Sequence, residues 1–85
     1  MRDLYLVSVE ADLADGGGKP LWRGNELCGC VLAGSPEEAV EITKSRLPDL
    51  ARDAGYLLEA GDARATFLES RFLEHRPHAD FLILD

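Results

Sequence analysis

Residues 35–38, Ser-Pro-Glu-Glu, constrain the fold more than any other part of this chain. Ser35 can accept orphan N–H groups of a first helical turn. Pro36 suits the first helical position, and Glu38 stands where a capping box wants a carboxylate. Glu37 and Glu38 also set negative charge at the positive end of the helix dipole. Behind this start Ala39, Val40, Thr43, Leu47, Leu50, Ala51 and Ala54 recur at helical spacing and form one apolar stripe. Pro48 is expected to kink or divide this helix, since its ring clashes with the preceding turn, and Gly55 is the expected stop. A helix apolar on one stripe must bury it against another layer.

The flanking segments supply that layer. Residues 4–11 alternate as a half-buried strand, with Tyr5, Val7, Val9 and Ala11 on one side and Leu4, Leu6, Ser8 and Glu10 on the other. Residues 12–25 read as a loop because of Gly16-Gly17-Gly18 and Lys19-Pro20. Residues 27–33 form a second strand. Gly61-Asp62 signals a turn, and residues 64–74 fit either period, with strand preferred over helix because a small sheet needs more partners. Residues 81–84 are a short apolar strand. The expected fold class is α+β: one domain over 1–85, a small antiparallel sheet covered by one possibly kinked helix, order β-β-α-β-β.

Composition narrows the function. Sixteen Asp and Glu against nine Lys and Arg give a net charge of −7. Binding a nucleic acid directly takes cations for the phosphates, and a helix lying on anionic lipid takes them on its polar face, so neither is expected. No apolar run approaches the roughly twenty residues that span a bilayer, and the first residues do not read as a secretion signal, so a cytoplasmic location is expected. At 85 residues the core supplies only a few kcal/mol of net stability, so a homodimer or another protein partner would help.

Several patterns invite chemistry. Cys28 and Cys30, two apart on a strand, point to one face, and His75 and His78 would complete a tetrahedral zinc set in composition. One residue between the cysteines is fewer than the usual two to four or so, and the plainer reading is two buried thiols beside two turn histidines. A disulfide between them is not expected, because strand geometry holds their β-carbons too far apart. Gly16-Gly17-Gly18-Lys19 lacks the spacing of a phosphate loop, and Pro20 stands where Ser or Thr belongs. No nucleophile elbow or ordered triad occurs. The expectation is a protein with no catalytic residues and no cofactor.

The acids carry more. Eight of them fall in the first 41 residues against Arg2, Lys19 and Arg23, a net −5. If they share a surface, it would steer a basic partner. Asp12, Asp15, Glu26, Glu37, Glu38 and Glu41 are the candidate partner-binding residues, standing in for phosphates. Trp22 beside Arg23 is the candidate aromatic anchor, although it serves equally well as a core plug. A plain solvated acidic surface is the competing reading.

The stretch Glu26-Leu27-Cys28-Gly29-Cys30-Val31-Leu32-Ala33-Gly34-Ser35-Pro36-Glu37-Glu38-Ala39-Val40, with Tyr5-Leu6-Val7-Ser8-Val9-Glu10 before it, resembles the HicB antitoxin family. The resemblance covers about the first half of the chain. It implies a protein that neutralises a small ribonuclease toxin, often as a dimer. Cys28 stands where the family has proline, and no C-terminal DNA-binding segment follows, so operator control is not implied. By size, acidity and β-β-α plan the chain is also similar to phage-encoded anti-CRISPR inhibitors, a group with no shared motif. The leading expectation is therefore a non-enzymatic inhibitor of that mobile-element kind, a nucleic-acid mimic whose acidic surface blocks a basic nucleic-acid-binding site on a larger protein. A HicB-like antitoxin and a small Cys/His metal protein are the alternatives.

Overall fold

The computed structural model describes residues 2–68 and 81–83. The alternating N-terminal segment forms β1 (Asp3–Asp15), which turns back into β2 (Pro20–Ala33). The loop expected over 12–25 is therefore mostly strand, and only 16–19 turn. Asp15 is the reason. Its N–H donates to the Lys19 carbonyl and its own carbonyl accepts from the Gly18 N–H, both at 2.9 Å. Its Oδ1 accepts from the N–H groups of Gly17 and Lys19, again at 2.9 Å. Gly18 takes a φ of 90°, which favours glycine.

The helix α1 (Pro36–Asp53) begins where the capping residues place it. The Glu38 N–H donates to Ser35 Oγ at 3.1 Å, and Glu38 Oε2 accepts from the Gly34 N–H at 3.2 Å, one residue before the usual capping-box donor. Pro48 does not divide the helix, which runs unbroken to Asp53. Buried Leu47 before it and half-buried Ala51 after it hold both sides in place against the loss of one backbone bond. Gly55, at φ 91°, ends the helix as expected, its N–H donating to the Arg52 carbonyl at 3.0 Å.

The chain continues into β3 (Tyr56–Phe67), and β4 (Phe81–Ile83) completes a sheet of order β3-β1-β2-β4. Among the described residues the architecture is α+β, with three antiparallel strands and one helix. β4 corrects the all-antiparallel expectation: it lies parallel to β2, Gly29 opposite Phe81 and Val31 opposite Ile83. Of residues 64–74, those to Phe67 are strand, and 69–74 lie outside the described residues.

Gly61-Asp62 is not a turn. Val9 pairs with Ala63 and Ala11 with Ala60, which leaves Gly61 and Asp62 together opposite Glu10 as a bulge. A second bulge faces it across β1. Ala11 pairs with Asn25 and Leu13 with Trp22, leaving Arg23 and Gly24 opposite Asp12. Gly24 has a φ of 64°, and its N–H donates to Asp12 Oδ1 at 2.8 Å.

Tyr5, Val7, Val9 and Ala11 turn toward α1 and are buried, as their alternation predicts. Val31 and Ala33 of β2 and Ala39, Thr43 and Leu47 of α1 are buried on the same side, with Ile42, Ala63 and Ala65 packed close by, and Cys30 is buried on the opposite face of β2. The fully buried Thr43 hydroxyl donates to the Ala39 carbonyl at 2.8 Å, so its burial leaves no polar group unpaired. Leu50 departs from the expected stripe and is 46% exposed. No helix among the described residues is long and apolar enough to cross a membrane.

Candidate partner-binding face

The sheet face turned away from α1 changes character along its length. Toward the Asp3 end it is apolar, with Leu4 opposite Leu32 and Leu6 opposite Cys30. Toward the hairpin it becomes acidic. Glu10 stands opposite Glu26 on β2, and Asp12 stands opposite Glu59 on β3. Asp62 joins them at the bulge, lining a depression of about 330 Å³ with Ser8, Glu10, Glu26 and Arg64. Directly opposed side chains in an antiparallel pair lie roughly 5 Å apart at Cβ, where like charges destabilise. Two such pairs occupy neighbouring positions on the same face.

The proposed phosphate surrogates therefore divide. Asp12 and Glu26 lie together on this face. Asp12 spends one oxygen on the Gly24 N–H, and Asp15 is engaged in the hairpin turn. Glu37 and Glu41 are exposed on α1, on the other side of the sheet, and half-buried Glu38 is tied to Gly34. Trp22 is half-buried in the row Trp22, Leu13, Leu58, which lies on the helix side. Glu10, Glu59 and Asp62 are the members that sequence reasoning did not select. Alternation puts Glu10 on the outward side of β1, but that it meets Glu26 follows only from the hairpin register. Glu59 and Asp62 depend on the bulge, which no spacing in the sequence announces.

Both cysteines face the same way, and neither is in a disulfide. Cys28 Sγ lies 3.3 Å from Ser8 Oγ, and its S–H points to Glu26 Oε1 at 3.8 Å. Burial pushes the Cys30 thiol pKa up. The described residues contain no group of three or more His, Cys, Asp or Glu placed to hold a metal, and His75 and His78 lie outside the described residues.

Comparison with protein-family models, with curated proteins and with solved structures finds no match. The functional reading accordingly rests on the face itself.

Proposed function

We propose that this protein is a non-catalytic binding protein of the inhibitor kind, whose acidic sheet face occupies a basic, nucleic-acid-binding surface on a larger partner. The observation that supports the reading is the register that sets like charges opposite one another, Glu10 with Glu26 and Asp12 with Glu59, beside Asp62. A solvated surface gains nothing from opposing carboxylates across a ladder, because each pair lowers the stability of the sheet. Arrangements that cost stability are typical of functional surfaces. Arg64 offsets part of the charge, and the net negative field that remains draws an oppositely charged partner from a distance and raises its rate of association. In a HicB-like setting the basic surface would belong to a small ribonuclease.

The test compares two variants as baits for partner capture from the source cell. One is Glu10→Lys with Glu26→Lys and Asp62→Lys; the other is Glu37→Lys with Glu41→Lys. The wild type and the helix variant are expected to retain a basic partner that salt releases, and the face variant is expected to lose it. Retention by the face variant, with loss by the helix variant, would refute the assignment.

A further inference from the structure

β3 is an outer strand of the sheet, and among the described residues nothing pairs with its far side. An exposed edge is usually protected by shortness, lysine or proline, and this 12-residue strand has none of them. Pairing with β1 decides which of its backbone groups are left over. The Leu68 N–H donates to the Leu4 carbonyl at 2.9 Å, and antiparallel ladders alternate. Arg64 and Thr66 therefore bond inward, and Ala63, Ala65 and Phe67 point outward. Across the bulge β1 keeps its own alternation, so Leu57 and Glu59 bond inward while Tyr56, Leu58 and Ala60 point outward.

This pattern makes the strand complementary to itself. Let a two-fold axis normal to the sheet pass between Gly61 and Asp62, relating β3 to β3 of a second copy. Ala63 then falls opposite Ala60, Arg64 opposite Glu59, Ala65 opposite Leu58, Thr66 opposite Leu57 and Phe67 opposite Tyr56, each pair twice. Outward backbone meets outward backbone at Ala60–Ala63, Leu58–Ala65 and Tyr56–Phe67. The faces agree as well. Those six residues lie on the helix side, and Leu57, Glu59, Arg64 and Thr66 lie on the other. In a strand without the bulge the same register would oppose residues of different faces; the extra residue corrects the parity.

The side chains suit the register. Arg64 meets Glu59 at a position between backbone-bonded pairs, where opposed side chains come closest. Phe67 and Tyr56, 57% and 41% exposed, would cover one another, and Leu57, 48% exposed, would meet Thr66. Sliding one copy by two residues sets Glu59 opposite Asp62 in one direction and opposite Thr66 in the other, so either shift loses the charge pair. The net charge of −7 on each copy opposes association at long range, but physiological salt screens that repulsion beyond about 8 Å.

We infer that β3 pairs with β3 of a second copy in this register, joining the two sheets into one. The inference goes beyond the acidic-face reading and does not rest on it. The two-fold axis leaves the acidic faces of both copies on the same side of the joined sheet, with Arg64 of the second copy set against Glu59.

The test follows the full chain by sedimentation equilibrium and by amide hydrogen exchange as concentration rises. The wild type is expected to dimerise and to gain protection with concentration at Leu58, Ala60, Ala63 and Ala65, but not at Glu59 and Arg64, which β1 already holds. Arg64→Glu and Glu59→Arg are each expected to weaken dimerisation about tenfold, because two opposed pairs turn repulsive at once. An equal mixture of the two variants is expected to restore it, since every opposed pair of the mixed dimer again joins unlike charges. Within one chain the two positions lie roughly 16 Å apart along the strand, so no contact inside a single copy gives that rescue. Should a variant fail to fold, the wild-type exchange pattern alone decides. A wild type that stays monomeric up to about 1 mM would overturn the inference and leave the acidic-face reading untouched. So would a dimer whose edge amides gain no protection, or a mixture that associates no better than its components.

Discussion

Replacing Glu26 with Lys should make the protein more stable. Glu26 faces Glu10 directly across the β1–β2 ladder, so the pair is repulsive in the wild type and attractive in the variant. With the two charges about 6 Å apart, the interaction is worth about 0.7 kcal/mol in bulk water. At 0.15 M salt, with a Debye length of about 8 Å, it falls to roughly 0.3 kcal/mol. Changing its sign therefore separates the two proteins by about 0.6–0.7 kcal/mol, and Asp62 nearby adds in the same direction. For a domain of this size that corresponds to a rise in Tm of about 3–5 °C. The assay is thermal unfolding followed by circular dichroism at low salt and at 1 M salt. At 1 M the Debye length is about 3 Å and the gain should nearly vanish. A variant that is less stable than the wild type at low salt, or whose gain is unaffected by salt, would refute the opposed-carboxylate geometry. The same substitution is expected to weaken partner binding, so stability and function should move in opposite directions.

Two further outcomes are expected. Ser35→Ala removes the oxygen that accepts the Glu38 N–H and should lower stability by about 1 kcal/mol in denaturant unfolding; an unchanged midpoint would show that the Gly34–Glu38 contact alone secures the helix start. Alkylation near pH 8, read by mass spectrometry, should modify half-exposed Cys28 before Cys30, which is 4% exposed and whose raised pKa leaves less thiolate at any given pH. The Cys30 rate should climb as pH rises toward its thiol pKa, and equal rates from the outset would contradict its burial.

Much of the fold was legible because local physics and tertiary structure agree there. Ser35, Pro36 and Glu38 fix the helix start through backbone hydrogen bonds that need no distant partner. Tyr5, Val7, Val9 and Ala11 reveal their face because period two survives through β1. Legibility fails where glycine is read without its register. Gly16-Gly17-Gly18 suggested a long loop, yet one aspartate closes it in a tight turn. Gly61 suggested a chain reversal, and instead it sits in a bulge within a continuous strand, where a Cβ would come within 3.3 Å of the Glu10 carbonyl oxygen. Pro48 carried a real local penalty, which the packing of Leu47 and Ala51 outweighs. The acidic face was legible only as a sum of charge. Its membership depends on which residues of three strands fall opposite one another, a fact held in pairing and not in spacing.

The two bulges give that face an unusual kind of fragility. Counting back from Ala63 by strict alternation would send Glu59 toward the helix and Leu58 to the outside; the extra residue at Gly61 and Asp62 reverses both. The Arg23–Gly24 bulge does the same for Trp22 on the opposite neighbour of β1. Acidity on this surface is thus written as odd or even position relative to an inserted residue. Relatives of this chain could exchange the acids one by one and keep a graded surface, whereas losing Gly61 by deletion would turn Glu59 to the helix side, where half-buried Leu58 now lies. Chain length between residues 57 and 63 should therefore drift far less through descent than the identities of the residues it holds.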